Sequence, residues 1–252
     1  MLRLRELRVI ESKEDLKAIP KGKVLINTIN AHSYNVAQKD ELFSEALRTV
    51  HGEGLMDNNS SRECVKYLVP DGASVIKACK WLKAKSQPKE RIAGWDLFDF
   101  EMKKNCKKRV MFMGSSEKVL ARIREKAAAD YPDMEVVTYS PPYKPEFSEE
   151  DNAAIIKAIN VADPDLLWIG MTAPKQEKWT YQHWKELNIH CHVGTIGAVF
   201  DFYAGTAQRA PNWWQEHSLE WLFRLIKEPK RMWRRYVIGN PLFLWNISKE
   251  RI

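Results

Sequence analysis

A carboxylate at a strand-to-helix junction is the first candidate for chemistry in this chain. Asp71 lies in Pro70-Asp71-Gly72, after an apolar run and before a segment with helical periodicity. At the carboxyl edge of a sheet, such a carboxylate could accept a proton from an attacking hydroxyl group. The alternative is an Asp-Gly turn in which Asp71 caps the next helix, and the residues alone leave both interpretations open.

Two further junctions carry groups that could bind a sugar or a diphosphate. Thr28 and Asn30 offer a hydroxyl and an amide beside the free N–H groups of a helix start, or they form an ordinary N-cap cluster. Gly114, which two serines follow, is a weak phosphate-binding candidate. Neither the Walker pattern nor the dinucleotide-binding glycine pattern is present in the sequence.

The Pro174-Lys175-Gln176-Glu177 segment opens another predicted helix after a strand. Gln176 could hold a sugar hydroxyl, and Lys175 could offset the charge of a diphosphate. Glu177 equally suits the first turn of a helix that begins with proline. Substrate binding and helix initiation therefore both remain open for this segment.

Two patterns imitate metal sites. Asp163-Pro164-Asp165 precedes its strand, so we expect a helix-stop turn at the amino edge of the sheet, away from the ligand side. His190 and His192 flank Cys191 on one predicted strand, and we expect a structural role because no further cluster of ligands accompanies them. Neither pattern predicts a metal centre.

The composition bounds the class of protein. The chain has 252 residues, 44% of them hydrophobic and 29% charged, which is typical of one α/β domain with or without an appendage. We expect a cytosolic protein with reduced thiols, because the sequence shows no apolar leader and its four cysteines are widely spaced. The net charge of +7 points to an anionic partner, and nucleic acid, anionic lipid and a diphosphate all qualify.

Short apolar runs alternate with helical segments up to about residue 193. Strands are expected at 23–26, 64–69, 109–113, 134–138, 166–169 and 191–193, with a polar turn at 27–33 and a loop at 52–62. Helices are expected at 37–49, 73–85, 118–130, 148–161 and 176–187. This alternation predicts an α/β fold with a mostly parallel, Rossmann-like sheet flanked by helices.

From Trp213 the pattern changes to helical segments at 213–227 and 229–236 that are rich in tryptophan and arginine. We therefore predict a core at 1–212 and a basic, helical C-terminal appendage at 213–252. Its arginines could clamp a diphosphate, its aromatic and basic residues could sit at a membrane interface, or both could bind nucleic acid. A solvated helical hairpin is the fourth interpretation.

Short motifs follow one another in a fixed order over residues 27–236. They are Thr-Ile-Asn-Ala from residue 28, Pro-Asp-Gly from 70, Arg-Ile-Ala-Gly-Trp-Asp-Leu from 91, Val-Met-Phe-Met-Gly from 110, Tyr-Pro from 131, Pro-Lys-Gln-Glu from 174, Gly-Thr-Ile-Gly-Ala-Val-Phe-Asp from 194, Arg-Ala-Pro from 209, Leu-Glu-Trp-Leu-Phe-Arg-Leu from 219 and Glu-Pro-Lys-Arg-Met-Trp-Arg-Arg from 228. The series resembles the signature of the WecG/TagA/CpsF family of bacterial glycosyltransferases.

The resemblance implies a role for each matching residue. Asp71 takes the place of the catalytic aspartate. Thr28, Asn30, Gln176 and Arg209 take the places of substrate-binding residues, and Gly114, Lys175 and Glu177 complete the predicted set. The arginines of the appendage would stabilise the diphosphate, with Arg231 and Arg234 as catalytic residues and Arg224 and Arg235 as substrate-binding residues.

The resemblance also implies a reaction: inverting transfer of an N-acetylmannosamine-type sugar or related hexose from a UDP-sugar to a polyprenyl-diphosphate-linked sugar, for cell-surface polysaccharide or teichoic acid. It implies no metal or other cofactor, and a peripheral position on the anionic inner face of the cell membrane, without a nucleic-acid partner. A homo-oligomer remains open. The alternative is a nucleic-acid-binding α/β protein that uses the basic tail. An NAD-type oxidoreductase is disfavoured because the glycine fingerprint is missing.

Overall fold

The protein is described by a computed structural model. It covers residues 1–49, 64–211, 213, 214, 217 and 219–251, the last range without the side chain of Arg231. The strands are β1 (Val24–Ile29), β2 (Lys66–Pro70), β3 (Arg109–Gly114), β4 (Glu135–Tyr139), β5 (Leu166–Gly170) and β6 (His192–Thr195).

Helices precede, separate and follow these strands. The α-helices are α1 (Ala31–Ala37), α2 (Glu41–Leu47), α3 (Ala73–Leu82), α4 (Gly94–Lys104), α5 (Glu117–Asp130), α6 (Glu149–Ala162), α7 (Lys175–Gln182), α8 (Gly197–Tyr203), α9 (Glu220–Lys227), α10 (Pro229–Trp233) and α11 (Gly239–Arg251). Short 3₁₀ turns lie at Leu4–Glu6, Glu14–Ala18 and Trp184–Glu186, and a π-helical turn at Arg234–Ile238 joins α10 to α11. No helix within the described ranges is long and apolar enough to cross a membrane.

The strands form one parallel sheet in the order β2-β1-β6-β5-β3-β4. Its two faces are covered by different helices because side chains alternate along each strand. In β3, Val110 and Phe112 join a core cluster with α4, α5 and α8, whereas Met111 and Met113 join a cluster with α6 and α7. The predicted α/β fold with a parallel sheet flanked by helices is confirmed. All carboxyl ends of the strands therefore open at one edge, where ligands bind in such sheets.

The predicted polar turn at 27–33 is wrong at its start. Strand β1 continues to Ile29, and the buried Asn27 lies inside it. The Asn27 amide donates to a backbone carbonyl of α2 at 3.0 Å and accepts from the Thr195 hydroxyl at 2.7 Å. A polar side chain whose hydrogen bonds are made within the protein can stay in a buried strand, and the sequence pattern cannot show those partners.

The single helix predicted at 37–49 is also wrong, because α1 ends at Ala37 and α2 begins at Glu41. Asp40 is the N-cap of α2, and its carboxylate accepts from the backbone N–H of Phe43 at 2.9 Å. A capping aspartate starts a new helix where apolar periodicity alone suggests continuation. The predicted loop at 52–62 lies outside the described residues.

The remaining predicted elements of the core agree with the structure to within a few residues, with one exception at the segment 176–187. There α7 ends at Gln182 and a 3₁₀ turn follows. The capping box that the sequence indicates at Ser148 forms, since Ser148 and Asp151 exchange backbone-to-side-chain hydrogen bonds at 3.0 and 3.2 Å. Helices α4 and α8 were not predicted as elements.

The C-terminal region begins as predicted and then differs. In the segment 213–227, Trp213 and Trp214 are helical and α9 covers Glu220–Lys227, whereas residues 215, 216 and 218 lie outside the described ranges. The helix predicted at 229–236 ends at Trp233, and the π-helical turn leads into the unpredicted α11. Helix α11 was not predicted because Pro241 usually interrupts a helix, but here this proline lies in the first turn, where proline is tolerated.

Helix α11 packs against the start of the chain and against α1. Phe243 is buried and meets Tyr34 edge-on, with ring centroids 5.3 Å apart. The Glu250 carboxylate accepts from the backbone N–H groups of Leu4 at 2.8 Å and Arg5 at 3.1 Å, and from the Tyr34 hydroxyl. This helix thereby becomes a fixed wall beside the carboxyl edge of β1 and β2. The boundary between core and appendage at residue 212 stays a prediction.

Candidate functional site

Asp71 follows the last residue of β2, at the carboxyl edge of the sheet. Its backbone N–H donates to the carbonyl of Ile29 at 2.9 Å, which continues the pairing of β2 with β1 by one residue. Gly72 is the N-cap of α3 with φ of +147°, a conformation that favours glycine. The Asp71 side chain therefore does not cap α3, and it makes no hydrogen bond with any described residue. Its carboxylate is left for the cavity that it faces.

This cavity has a volume of about 760 Å³ and lies between the sheet edge and the C-terminal helices. Asn30 and Asp71 line it from the ends of β1 and β2, and α9, the π-helical turn and α11 form the opposite wall. A volume of several hundred Å³ suits a small-molecule ligand. Residues from both ends of the chain thus share one binding space.

Arginines dominate the charge around the Asp71 carboxylate. One Glu220 carboxylate joins two of them, because it lies 2.9 Å from Arg91 and 3.5 Å from Arg224. Arg235 also lines the cavity, and its Nε is buried without a hydrogen-bond partner among the residues the structure describes. An unpaired cationic donor at a cavity wall favours an anionic ligand, because burying a donor unsatisfied costs about 1–3 kcal/mol.

The surroundings of Asp71 act on its acidity in opposite directions. Burial raises the pKa of the carboxyl above its usual value, and the positive charges of Arg224 and Arg91 work against this rise. The net effect is a raised pKa. A carboxylate with a raised pKa is a stronger base than an exposed one, which suits proton abstraction near neutral pH.

His32 contributes a neutral polar group to the same cavity. Burial, together with the charge of Arg235, lowers the pKa of His32 to about 4. The imidazole is therefore uncharged at neutral pH. A neutral imidazole beside the arginines can exchange a hydrogen bond with a hydroxyl group and adds no further positive charge.

Asn30 has a dual position. Its Oδ1 accepts from the backbone N–H groups of His32 and Ser33, both at 3.0 Å, so Asn30 is the N-cap of α1. Its Nδ2 has no acceptor within the described stretches of the chain, and the residue lines the cavity. The cap thus fixes the amide so that its oxygen binds the helix start and its NH₂ group stays available to a ligand.

The amino-acid sequence matches the Glycosyl transferase WecG/TagA/CpsF family over residues 3–252. The chain belongs to this family. It is a glycosyltransferase.

Curated relatives in the WecG/TagA/CpsF family share about a quarter to a third of their residues with the chain. A protein from Bacillus spizizenii is 29% identical over 223 residues, which are 88% of this chain and 80% of the relative. One from Bacillus subtilis is 29% identical over 228 residues, 90% and 79% of the two chains, and one from Staphylococcus aureus is 27% identical over 188 residues, 73% and 70%. All three are named N-acetylglucosaminyldiphosphoundecaprenol N-acetyl-beta-D-mannosaminyltransferase.

The structure brings together four of the residues that the family resemblance singled out. Asn30, Asp71, Arg224 and Arg235 line one cavity. Thr28 lies within β1, is half-buried and does not line the cavity. The roles given to these residues from the sequence stay predictions.

The last two residues of the Pro-Lys-Gln-Glu segment, Gln176 and Glu177, are buried in this family member. Gln176 is buried, and its Oε1 accepts from the backbone N–H groups of Met171 and Gly197, both at 3.1 Å. Its Nε2 donates to Glu177 at 2.8 Å. Burial raises the pKa of Glu177 to about 7, and the second oxygen of this carboxyl has no partner within the described residues. Both hydrogen-bonding ends of the Gln176 amide are thus engaged between the end of β5 and the start of α8.

Lys175 and Gly114 lie away from the cavity. The Lys175 ammonium donates to the Lys144 carbonyl at 2.5 Å and sits 3.4 Å from the ring centroid of Phe147. Gly114 ends β3 with φ of +113°, and a Cβ atom there would clash with the Gly170 carbonyl oxygen. Close approach of neighbouring strands therefore explains this glycine without a phosphate.

The other arginines from the sequence prediction differ in their positions. The Arg209 guanidinium lies 5.3 Å from the ring centroid of Trp95, beside the cavity but outside its lining. Arg234 is exposed in the π-helical turn. Arg231 belongs to α10, and its side chain lies outside the described region of the structure.

In the two patterns that imitate metal sites, Asp163, Asp165 and His192 have structural positions, whereas His190 precedes β6 and is exposed, so the two histidines do not share a strand. Asp163 ends α6 with φ of +40°, and the Asp165 carboxylate accepts from the backbone N–H of Arg109 at 3.0 Å. His192 is buried between the Glu101 carboxylate, at 3.0 Å, and a backbone carbonyl, at 2.9 Å. Across the described ranges, no three His, Cys, Asp or Glu side chains are placed to hold a metal ion.

Sequence reasoning assigned no role to several residues of the cavity. Arg91 and Glu220 form its main ion pair, His32 faces Arg235, and Lys77 lies one helical turn after Ala73 on α3. Arg91 and Glu220 stand inside motifs that carry the family resemblance, so those motifs were the signal available for them. Lys77 stands in none of these motifs.

Proposed function

We propose that this glycosyltransferase moves a sugar from a UDP-sugar to a polyprenyl-diphosphate-linked sugar, with inversion at the anomeric carbon and without a metal ion. The relatives' name supports an N-acetylmannosamine-type donor sugar and a diphosphate-linked N-acetylglucosamine acceptor. The observation that carries the proposal is the unpaired Asp71 carboxylate, which faces a cavity rich in arginine.

Asp71 is the general base of the proposed reaction. Its carboxylate takes the proton of the acceptor hydroxyl while that oxygen forms a bond to the anomeric carbon. The bond from the anomeric carbon to the UDP oxygen breaks on the opposite face, and UDP leaves with the electron pair. Attack opposite the leaving group inverts the configuration at the anomeric carbon.

Fixed cations take the place that a metal ion has in other nucleotide-sugar transferases. Arg91, Arg224 and Arg235 line the same cavity as the Asp71 carboxylate, and they can stabilise the charge that develops on the departing diphosphate. The shared Glu220 holds two of these guanidinium groups in position before substrate binds. Because these guanidinium groups are already in position, they need not rearrange when the transition state forms.

The C-terminal segment is proposed to hold the enzyme on the cytoplasmic face of the membrane. Several of its large apolar side chains are exposed, among them Trp233 and Ile238, and basic residues lie between them. Basic residues near an anionic leaflet each contribute about 1 kcal/mol. Sedimentation with anionic vesicles, compared with neutral ones, tests this membrane role, and equal binding to both would contradict it.

The reaction is tested by UDP release from a panel of UDP-sugars in EDTA, with and without a polyprenyl-diphosphate-N-acetylglucosamine analogue. We expect release that requires both the acceptor and one donor, with a product of inverted anomeric configuration by NMR. Release that requires added Mn²⁺ or Mg²⁺ would contradict the metal-free mechanism. A product of retained configuration would contradict the role of Asp71 as a base.

A further inference from the structure

The cavity continues away from Asp71 as a cleft between α3 and α11. Both helices begin near its polar end, where Gly72 caps α3 and Asn240 lies in the first turn of α11. Their far ends also meet, because the Arg251 guanidinium lies 5.0 Å from the ring centroid of Trp81. With a rise of 1.5 Å per residue, the stretch from Ala73 to Trp81 extends the cleft by about 12 Å.

The chemical character of the lining changes along this cleft. On α3, Lys77 lines the end nearer Asp71, and Trp81 follows a single helical turn further along. On α11, Asn240 lines the near end, and Leu244 and Ile247 line the far end. Residues three, four and seven positions apart lie on one helix face. The face that each helix presents to the cleft is therefore polar near Asp71 and apolar at the far end.

The apolar end of the cleft is open. Leu244 is 66% exposed and Trp81 is 46% exposed, although both line a concave surface. Exposed apolar side chains that lie together in a cleft indicate a binding site, whereas single exposed apolar side chains are common on any protein surface. The neighbouring Trp245 is 60% exposed and does not line the cleft, which makes it a natural control.

We infer that this cleft binds the first isoprenoid units of the acceptor's polyprenyl chain, an inference that rests on the proposed function. The acceptor is a polar sugar diphosphate joined directly to an apolar chain, and the cavity has the same order, with Asp71 and the arginines first and the apolar stripe after them. A UDP-sugar has no apolar end that could fill the far end. The cleft thus selects a lipid-linked acceptor over a soluble sugar and orients its head towards Asp71.

Two acceptors with the same N-acetylglucosamine-diphosphate head test the inference in detergent micelles. One carries a polyprenyl chain and the other a short, water-soluble alkyl chain. The variants are Leu244→Asn on one wall and Trp81→Gln on the other, with Trp245→Asn as the matched control. The readout is kcat/KM for UDP release with each acceptor, together with UDP affinity by calorimetry.

We expect Leu244→Asn and Trp81→Gln to lower kcat/KM for the polyprenyl acceptor by roughly tenfold, the factor that burial of one large apolar side chain provides. The value for the short-chain acceptor and the affinity for UDP should stay within about twofold of wild type, because those ligands do not reach the apolar end. Trp245→Asn should leave both acceptors unaffected.

Equal losses with both acceptors, or no loss with either, would overturn the inference while wild-type turnover still supports the proposed function. Turnover of neither acceptor by the wild-type enzyme would overturn both. Vesicle sedimentation without acceptor separates a bilayer contact from a chain-binding cleft. If Leu244→Asn loses vesicle binding as much as Trp233→Asn and keeps its selectivity for the long chain, the surface is a membrane contact and the inference is wrong.

Discussion

Replacing Gln176 with methionine should destabilise the protein before it affects the chemistry. The Gln176 Oε1 accepts from two backbone N–H groups, those of Met171 and Gly197, and its Nε2 donates to Glu177. Methionine keeps the length of the side chain but can neither accept nor donate well. Both N–H groups are partly buried, so each one left unpaired costs about 1 kcal/mol, the lower end of the range for buried groups, and the two together cost about 2 kcal/mol. That is a large share of the roughly 5–15 kcal/mol by which a domain is stable.

Urea denaturation of Gln176→Met measures this cost, and Gln182→Met is the matched control because Gln182 is exposed at the end of the same helix. We expect a clearly lower urea midpoint for Gln176→Met and an unchanged midpoint for the control. Folded Gln176→Met should keep kcat/KM within about tenfold of wild type, since the amide does not line the cavity. A wild-type midpoint with a hundredfold or greater loss of kcat/KM would refute this reasoning and show that the amide contacts substrate.

Three further predictions concern acidity and the C-terminal wall. Because burial raises the pKa of Glu177 from 4.5 to about 7, the folded state keeps a proton that the unfolded state releases, and the free energy of unfolding should fall by about 3 kcal/mol as pH rises through this window. Glu177→Gln should remove that slope in urea titrations at several pH values, and an unchanged slope would contradict the assignment. Phe243→Ala should lower the free energy of unfolding by about 3–5 kcal/mol because the ring is buried, whereas Trp245→Ala should lower it by less than about 0.5 kcal/mol. Equal urea midpoints for the two variants would contradict the placement of α11. Arg91→Gln removes a charge that lowers the pKa of Asp71, so the acid limb of kcat/KM should move to higher pH, and a limb that stays or moves down would contradict the electrostatics.

The sheet was predictable because its signal is local. Each strand is an apolar run, each run precedes a helical segment, and a parallel sheet follows from that alternation. The position of Asp71 was predictable for the same reason, since a residue between a strand and a helix must lie at the carboxyl edge. What the residues could not decide was whether Asp71 caps α3, and Gly72 occupies that position in the structure.

The wall that completes the cavity was not predictable, because it depends on contacts between distant segments of the chain. Helix α11 is held by Glu250, whose partners Leu4 and Arg5 lie at the other end of the sequence. The inward direction of Gln176 is also a tertiary property, since Gly197 supplies one of its donors. A short motif shows which residues stand together in sequence, and the surrounding elements decide which way their side chains face.

The most direct measurement for the central claim is single-turnover UDP release by Asp71→Asn in EDTA, with Asp133→Asn as the control for loss of an exposed carboxylate away from the cavity. Removing a general base costs about 10²–10⁴ in rate. We predict a loss of that size for Asp71→Asn, with unchanged UDP affinity by calorimetry, and wild-type rates for Asp133→Asn. A folded Asp71→Asn enzyme that releases UDP at a rate close to that of wild type would contradict the account.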